Sequence, residues 1–182
     1  MNPSEQTLAE GKHVRLVRQG DWEFARRNNT TGIVGIVAVT EDGKLLLVEQ
    51  FRPPVGKRVV ELPAGLVGDA AGHETESLAA AAQRELLEET GYEAADLIRV
   101  AEGPPSAGLS DEVITMFVGM RARKVGEAHG DGNEEITLHE VPLADVPDWL
   151  AGKQREGCLI DLKIYCGLYF VDRYVDSSPR RA

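Results

Sequence analysis

Three glutamates, Glu85, Glu88 and Glu89, lie in the run Arg84-Glu85-Leu86-Leu87-Glu88-Glu89-Thr90-Gly91-Tyr92. At about 100° per residue in a helix they share an arc of roughly 100°. Like charges spaced i,i+3 and i,i+4 repel, each pair destabilising an isolated helix by about 0.2–0.5 kcal/mol. Such a face calls for a compensating cation, and all-oxygen, carboxylate-rich sites suit the hard divalent ions Mg2+ and Mn2+. The plainer alternative is a solvated acidic face of the kind acidic proteins often carry. The glutamates alone do not separate the two; their surroundings favour the first.

Upstream, Glu61-Leu62-Pro63-Ala64-Gly65 reads as a strand end running into a glycine-containing loop. An alanine-rich amphipathic segment from Thr75 to Gln83 leads into the cluster, and Thr90-Gly91 ends it with glycine in the position past the last turn. Strand, loop, capped helix and stop, spanning 61–92, arrive in the order that a catalytic loop-helix-loop requires.

The rest of the chain has to position that unit. Residues His13 to Val17 and Trp22 to Arg27 flank Gln19-Gly20-Asp21 and predict an N-terminal hairpin. Ile33 to Thr40 and Lys44 to Phe51 are apolar runs joined by Glu41-Asp42-Gly43, a strong hairpin signal. Further strands are expected at Val59 to Leu62, Leu97 to Ala101, Val113 to Arg121 and Ile136 to Val141. Helices are expected over about Thr75 to Thr90, Leu143 to Gln154 and Leu159 to Val175. Strands interleaved with helices predict an α/β class fold, an α/β/α sandwich around a mixed β-sheet with an N-terminal β-hairpin.

With 182 residues, 42% of them hydrophobic, the chain has the size and composition of one domain, 1–182, with a well-buried core. Its net charge of −10 argues against nucleic-acid or anionic-membrane partners, because the long-range field repels phosphate. A phosphate-bearing substrate would need metal ions and local arginines to be held. The start, Met1-Asn2-Pro3-Ser4-Glu5-Gln6, has neither a basic nor an apolar region of a secretory signal, and no stretch approaches about 18 apolar residues. Cys158 and Cys166 are expected on one helix, where eight residues at about 1.5 Å rise hold them roughly 12 Å apart, too far for a disulfide. A reduced, cytoplasmic setting follows. His13, His73, His129 and His139 show no metal-ligand spacing.

The acidic unit resembles the Nudix box, in which a glycine, five residues, a glutamate and seven residues precede Arg-Glu-U-x-Glu-Glu-x-Gly-U, with U apolar. Glu76, seven residues and Arg84 to Tyr92 fit that pattern. The glycine does not: position 70 is Ala and Gly65 comes five residues early, so 66–74 is similar to the family loop with an insertion. The resemblance spans roughly Trp22 to Val171 and implies the same α/β/α arrangement. It further implies that Glu85 and Glu89 are the principal metal ligands, Glu88 a supporting one, and the Ala64 carbonyl another. Arg84 is implied to pair with Glu76 or another box carboxylate and hold the helix face.

Trp22-Glu23-Phe24, Val48-Glu49-Gln50-Phe51-Arg52, Glu61-Leu62-Pro63-Ala64-Gly65 and Ser106 to Glu112 together resemble the ADP-ribose and nucleoside-diphosphate-sugar pyrophosphatase branch. That resemblance implies hydrolysis of the diphosphate of a nucleoside diphosphate sugar by a homodimer whose N-terminal strands, within 1–30, are exchanged at the interface. It implies base stacking by Trp22, a phosphate contact by Arg52, and Glu112 at the ribose or phosphate end. Two departures stand out. Ala107 replaces the branch's usual proline, and its Glu-x-Glu base pair has a counterpart in Glu134 but meets Gly132 at the first position. Glu134 and Glu112 are thus both candidate bases, with Asp131 or Glu135 as substitutes. A nucleotide-sensing domain without turnover and a plain α/β interaction domain are the alternatives, and specific divalent-ion binding separates the last from the others.

Overall fold

The computed structural model describes residues 4–68, 72–128 and 135–177. Strands β1 (Glu5–Glu10), β2 (Val14–Gln19) and β3 (Trp22–Arg27) form an antiparallel sheet of their own, in that order. The expected hairpin is β2–β3, turning through Gly20; β1 adds a third, largely exposed strand that its polar sequence does not announce.

The rest of the chain builds a nine-stranded mixed sheet. In sequence it comprises β4 (Gly32–Thr40), β5 (Lys44–Arg52), β6 (Lys57–Glu61), β7 (Ala64–Val67), helix α1 (Leu78–Thr90), β8 (Tyr92–Glu93) and β9 (Leu97–Gly103). Then follow β10 (Ile114–Lys124), β11 (Thr137–Pro142), α2 (Val146–Arg155), β12 (Leu159–Ile160) and α3 (Lys163–Ser177). The main path is β12-β6-β5-β4-β10-β8, with β11 on β5, β7 on β4 and β9 on β10. Parallel pairing of β10 with β4 and of β12 with β6 makes it mixed.

Strand β4 reads Gly-Ile-Val-Gly-Ile-Val-Ala-Val-Thr because both its faces are covered. Val34, Ile36 and Ala38 pack with Leu46 and Phe117 against Ala81, Ala82 and Leu86 of α1. Val37 and Val39 pack with Leu45, Leu47 and Val60 against Val146 and Leu150 of α2 and Ile164 and Val171 of α3. This is the expected α/β/α sandwich. Among the described residues no helix is long and apolar enough to cross a membrane.

The structure corrects three local expectations. Leu143–Asp145 is a 3-10 turn ahead of α2, and the stretch expected as one helix from Leu159 is a two-residue strand followed by α3. Cys158 therefore precedes β12 while Cys166 sits in α3, so the separation along one helix does not apply; both thiols are free. Ala64–Val67, expected as a loop, is the strand β7.

On the α2 side of β5, the buried carboxylate of Glu49 accepts from Arg58 Nε at 2.5 Å and Lys153 Nζ at 2.9 Å, and lies 2.9 Å from His139 Nε2. His139 and Lys153 both rest on the Trp149 ring. Burial alone would raise this carboxyl, but Lys153, Arg58 and His139 outweigh it and hold the group at about 2. Since the folded value lies below the ordinary 4.5, the stabilisation is complete above about pH 4.5 and lost as the pH falls towards 2. Glu49→Gln should cost about 3–5 kcal/mol near neutrality, because Arg58 and Lys153 lose their anionic partner. In denaturant titrations, the gap between parent and variant should close as the pH is lowered through that window. A gap that stays constant would mean that charge is not its source.

Candidate active site

Helix α1 starts later than the sequence pattern implies: Ser77 caps it, its Oγ accepting from the Ala80 N–H at 3.2 Å. Glu76 is thereby left outside the helix, where its carboxylate turns back to Arg84. The other end stops at Gly91, whose left-handed φ of 74° closes the N–H onto the Leu87 carbonyl. A side chain there would also strike the Gly126 carbonyl. Between these caps Ala81, Ala82 and Leu86 face the sheet, and the acidic residues occupy the edge of that face.

Arg84 organises that edge. Its Nη2 donates to Glu76 Oε1 at 2.8 Å and to the Leu66 carbonyl at 3.1 Å, while Nη1 donates to Glu85 at 2.8 Å and Glu88 at 2.9 Å. These partners, Glu76 above all, push the arginine's pKa further above its ordinary value. The implied structural task of Arg84 is thus visible as one guanidinium shared among three carboxylates of the box. Exposure of the side chains runs from 7% for Glu76 and 13% for Glu85 to 47% for Glu88.

Glu89 is placed differently, buried with its Oε2 accepting from the Ala64 N–H at 3.1 Å. Burial raises its carboxyl to about 8; the Ala64 bond and Arg52 pull it down, and Glu85 and Glu61 push it up. Strand β7 brings Ala64 here by pairing antiparallel to β4, Ala64 opposite Gly35. The next residue, Gly65, lies directly under Glu85, and a Cβ on it would fall 1.9 Å from the Glu85 carboxyl carbon. The backbone of β7 and the carboxylates of α1 therefore form one close-packed oxygen-rich surface. Among the described residues no three Asp, Glu, His or Cys side chains stand gathered as a finished metal cage. The donor set is nevertheless hard, anionic and backed by glycine, which fits a divalent ion of the magnesium class.

Arg52, at the end of β5, donates from Nε to Glu61 Oε2 of β6 at 2.7 Å. Both act electrostatically on Glu89, so Arg52 stands beside the acidic face. Glu61 itself, although quoted within a motif, carries no role in the sequence reading.

Trp22 and Glu112 lie elsewhere. Trp22 projects from β3 with 65% of its surface exposed, and Phe24 two residues on is partly covered, with the Arg26 guanidinium 5.3 Å from its ring centre. Glu112 accepts from Arg27 at 2.5 Å, and neighbouring Asp111 accepts from Arg26 at 2.5 Å. These pairs, with the Ala25 N–H donating to the Leu109 carbonyl, tie the small sheet to the segment before β10. They border a cleft of about 900 Å³ reaching from Arg15, Arg26 and Arg27 to Gly68 at the end of β7. Its lining mixes these arginines with Glu74, Asp111 and Glu112, and the arginines carry no local sequence signal although Arg26-Arg27 closely follows Trp22-Glu23-Phe24. Glu134, Asp131 and Gly132 lie outside the described residues.

The site is a glycine-backed glutamate helix on one face of the sandwich, and comparison with known proteins gives the chain a family. The NUDIX domain model matches residues 30–160, and the chain belongs to that family. The chain is 37% identical to the ADP-ribose pyrophosphatase of Bacillus subtilis over 115 residues, 63% of this chain and 60% of that protein. It is 31% identical to the ADP-sugar pyrophosphatase of Mus musculus over 206 residues, covering 97% of this chain and 88% of the mouse protein. The crystal structure of an ADP compounds hydrolase superposes with a TM-score of 0.72 at 21% identity, over 100% of this chain and 96% of the other, and shows the same fold. The chain spans 60%, 64% and 54% of three bacterial relatives that it matches. Nudix hydrolases generally use divalent metals.

Gly65→Ala should force the Glu85 carboxylate away from Arg84 and lower stability by about 1–2 kcal/mol, the range for mild overpacking plus a lost hydrogen bond. Adding Glu85→Ala should restore most of that loss. Thermal unfolding of parent, single and double variants checks this, and a Gly65→Ala protein as stable as the parent would show that the close approach is not maintained in solution.

Proposed function

We propose that the chain is a divalent-metal-dependent pyrophosphatase that splits the diphosphate of an ADP-ribose-like nucleoside diphosphate sugar into a nucleoside monophosphate and a sugar phosphate. The observation that carries this reading is the carboxylate edge of α1 packed on the glycine of β7, beside Arg52. The ADP-ribose and ADP-sugar pyrophosphatases among its relatives support the substrate class. Glu85 and Glu89, with Glu88 in support and the Ala64 carbonyl, would hold Mg2+ or Mn2+. Such an ion, when bound, screens the diphosphate charge and lowers the pKa of a coordinated water.

The chain's own groups do the rest. Arg84 fixes the direction of Glu85 and Glu88 by hydrogen bonds from one planar group. Arg52 supplies paired donors suited to a phosphate. Glu134 and Glu112 are the candidate bases, and Glu112, already held by Arg27, would face the ribose or phosphate end. Trp22 offers an open aromatic face to the base. We assign residues 1–182 to one cytoplasmic domain that works as a homodimer, the strands within 1–30 contributing to the interface.

Assaying nucleoside diphosphate sugars, dinucleotides and nucleoside triphosphates with Mg2+ tests the substrate class; preference for triphosphates would overturn it. Glu85→Gln and Glu89→Gln should each lower turnover by at least about a hundredfold, the equivalent of a few kcal/mol of transition-state stabilisation. Without metal, the melting temperature of Glu89→Gln should equal or exceed the parent's, because its carboxyl is buried beside Glu85 and Glu61, whereas Glu85→Gln also weakens the bond from Arg84 and should melt lower. Near-parental activity of either variant at limiting Mg2+ would refute the assigned ligands.

The dimer has its own test. Trp22 stands 65% exposed on a three-stranded sheet, apolar surface that a partner subunit would cover. Deleting residues 1–27 should abolish both dimerisation and activity, and an active monomer in sedimentation would dispose of the exchanged strands.

A further inference from the structure

We infer that Glu61 is a positioning residue that anchors Arg52 at the rim of the acidic face and keeps this guanidinium directed at the substrate diphosphate. The inference rests on the pyrophosphatase reading above and adds a residue to it. Strands β5 and β6 pair with Arg52 opposite Lys57 and Val48 opposite Glu61. By the two-residue alternation of a strand, Arg52, Val48 and Glu61 therefore point to one face of the sheet. Leu46, in step with them, packs with α1, so that face is the one bearing Glu85 and Glu89. Glu61 is the deeper partner, its side chain 12% exposed against 38% for Arg52, and the bond between them is 2.7 Å. A nearly buried carboxylate thus holds a half-exposed cation that extends towards solvent.

The need for such an anchor follows from the neighbours. Arg52 stands at the end of β5 on the sheet face that α1 covers, the face that bears Glu85 and Glu89. Arg84 shows what a guanidinium does beside these glutamates: it bonds to Glu85 and Glu88 at 2.8 and 2.9 Å. Without Glu61, Arg52 would turn to Glu89 in the same manner, leaving the diphosphate and competing with the cation that Glu89 is proposed to bind. Glu61 prevents this by holding Arg52 at 2.7 Å with a carboxylate that belongs to neither ion nor substrate.

A double-mutant cycle tests the assignment, with KM and kcat for ADP-ribose in Mg2+ and, independently of turnover, ADP affinity by calorimetry. Glu61→Gln should raise KM and weaken ADP binding by about ten- to a hundredfold, the worth of a hydrogen bond to a charged group, with a smaller change in kcat. Glu61→Asp, which retains the charge, should recover part of the loss. Placed on Arg52→Ala, Glu61→Gln should add little, because its effect passes through the arginine. Losses that multiply would overturn the inference and make Glu61 an independent participant such as a metal ligand. Unchanged ADP affinity in Glu61→Gln would also overturn it. A parent that binds ADP but hydrolyses no nucleoside diphosphate sugar would instead defeat the pyrophosphatase reading and leave the cycle in ADP affinity to decide the role of Glu61.

Discussion

Arg84 bonds to Glu76, Glu85, Glu88 and the Leu66 carbonyl with one planar group, and so joins the loop before α1, the helix itself and strand β7. Three negative charges on neighbouring turns would otherwise repel each other and loosen the helix end. Its side chain is 15% exposed, which keeps the interactions from being screened as surface pairs are. Lysine could not replace it, since a single ammonium lacks the spread of donors that reaches both Glu76 on one side and Glu85 with Glu88 on the other. The approach of Gly65 to Glu85, whose register the β4–β7 pairing sets, lies within the region that this arginine ties together.

Two buried carboxylates on opposite faces of the same sheet show how environment divides structural from chemical roles. Glu49 is surrounded by Arg58, Lys153 and His139 and is held at about 2; Glu89 has one backbone N–H and acidic neighbours and is pushed up to about 8. The first ties β5, β6, β11 and α2 together and has no cation demand left. The second keeps an unmet demand for positive charge at the end of a rigid helix. Pairs of like groups driven apart in this way mark sites of chemistry, because the fold maintains an interaction that contributes nothing to its own stability.

How far the chain could be read follows from how local each feature is. The glutamate face, its glycine stop and the strand runs depend on spacing within a few residues, and they are legible. Helix α1 is placed three residues too early because Thr75-Glu76 continues the polar pattern, whereas the Ser77 cap sets the boundary. Leu159-Ile160 runs straight into the apolar pattern of α3, and periodicity does not distinguish a two-residue strand from a helix turn. Glu61 is hidden for a different reason: its link to Arg52 is a cross-strand contact between residues nine apart, fixed by the β5–β6 register. Arg26 and Arg27 likewise gain meaning only when a sequence separation of 85 residues is closed by Asp111 and Glu112.

That closure bears on how a chain of net charge −10 could receive the proposed diphosphate substrate. The long-range field is unfavourable, so attraction must arise at short range, where a few arginines outweigh distant carboxylates across a screening length of about 8 Å at physiological salt. Arg15, Arg26 and Arg27 line one side of the large cleft, and Arg52 stands beside the acidic helix. Each of the last three is held by a carboxylate, Asp111, Glu112 or Glu61. Pairing of this kind lowers the gross attraction but fixes the donors in direction, so that less side-chain freedom remains to be lost when a phosphate arrives. It also holds Arg52 on Glu61, beside rather than on the helix carboxylates. The acidic excess and the arginine pairs are two aspects of one constraint: cations and anions stand side by side, Arg84 on Glu85 and Glu88 and Arg52 on Glu61, while Glu89, held by the Ala64 N–H, is the carboxylate with most to gain from the proposed divalent ion.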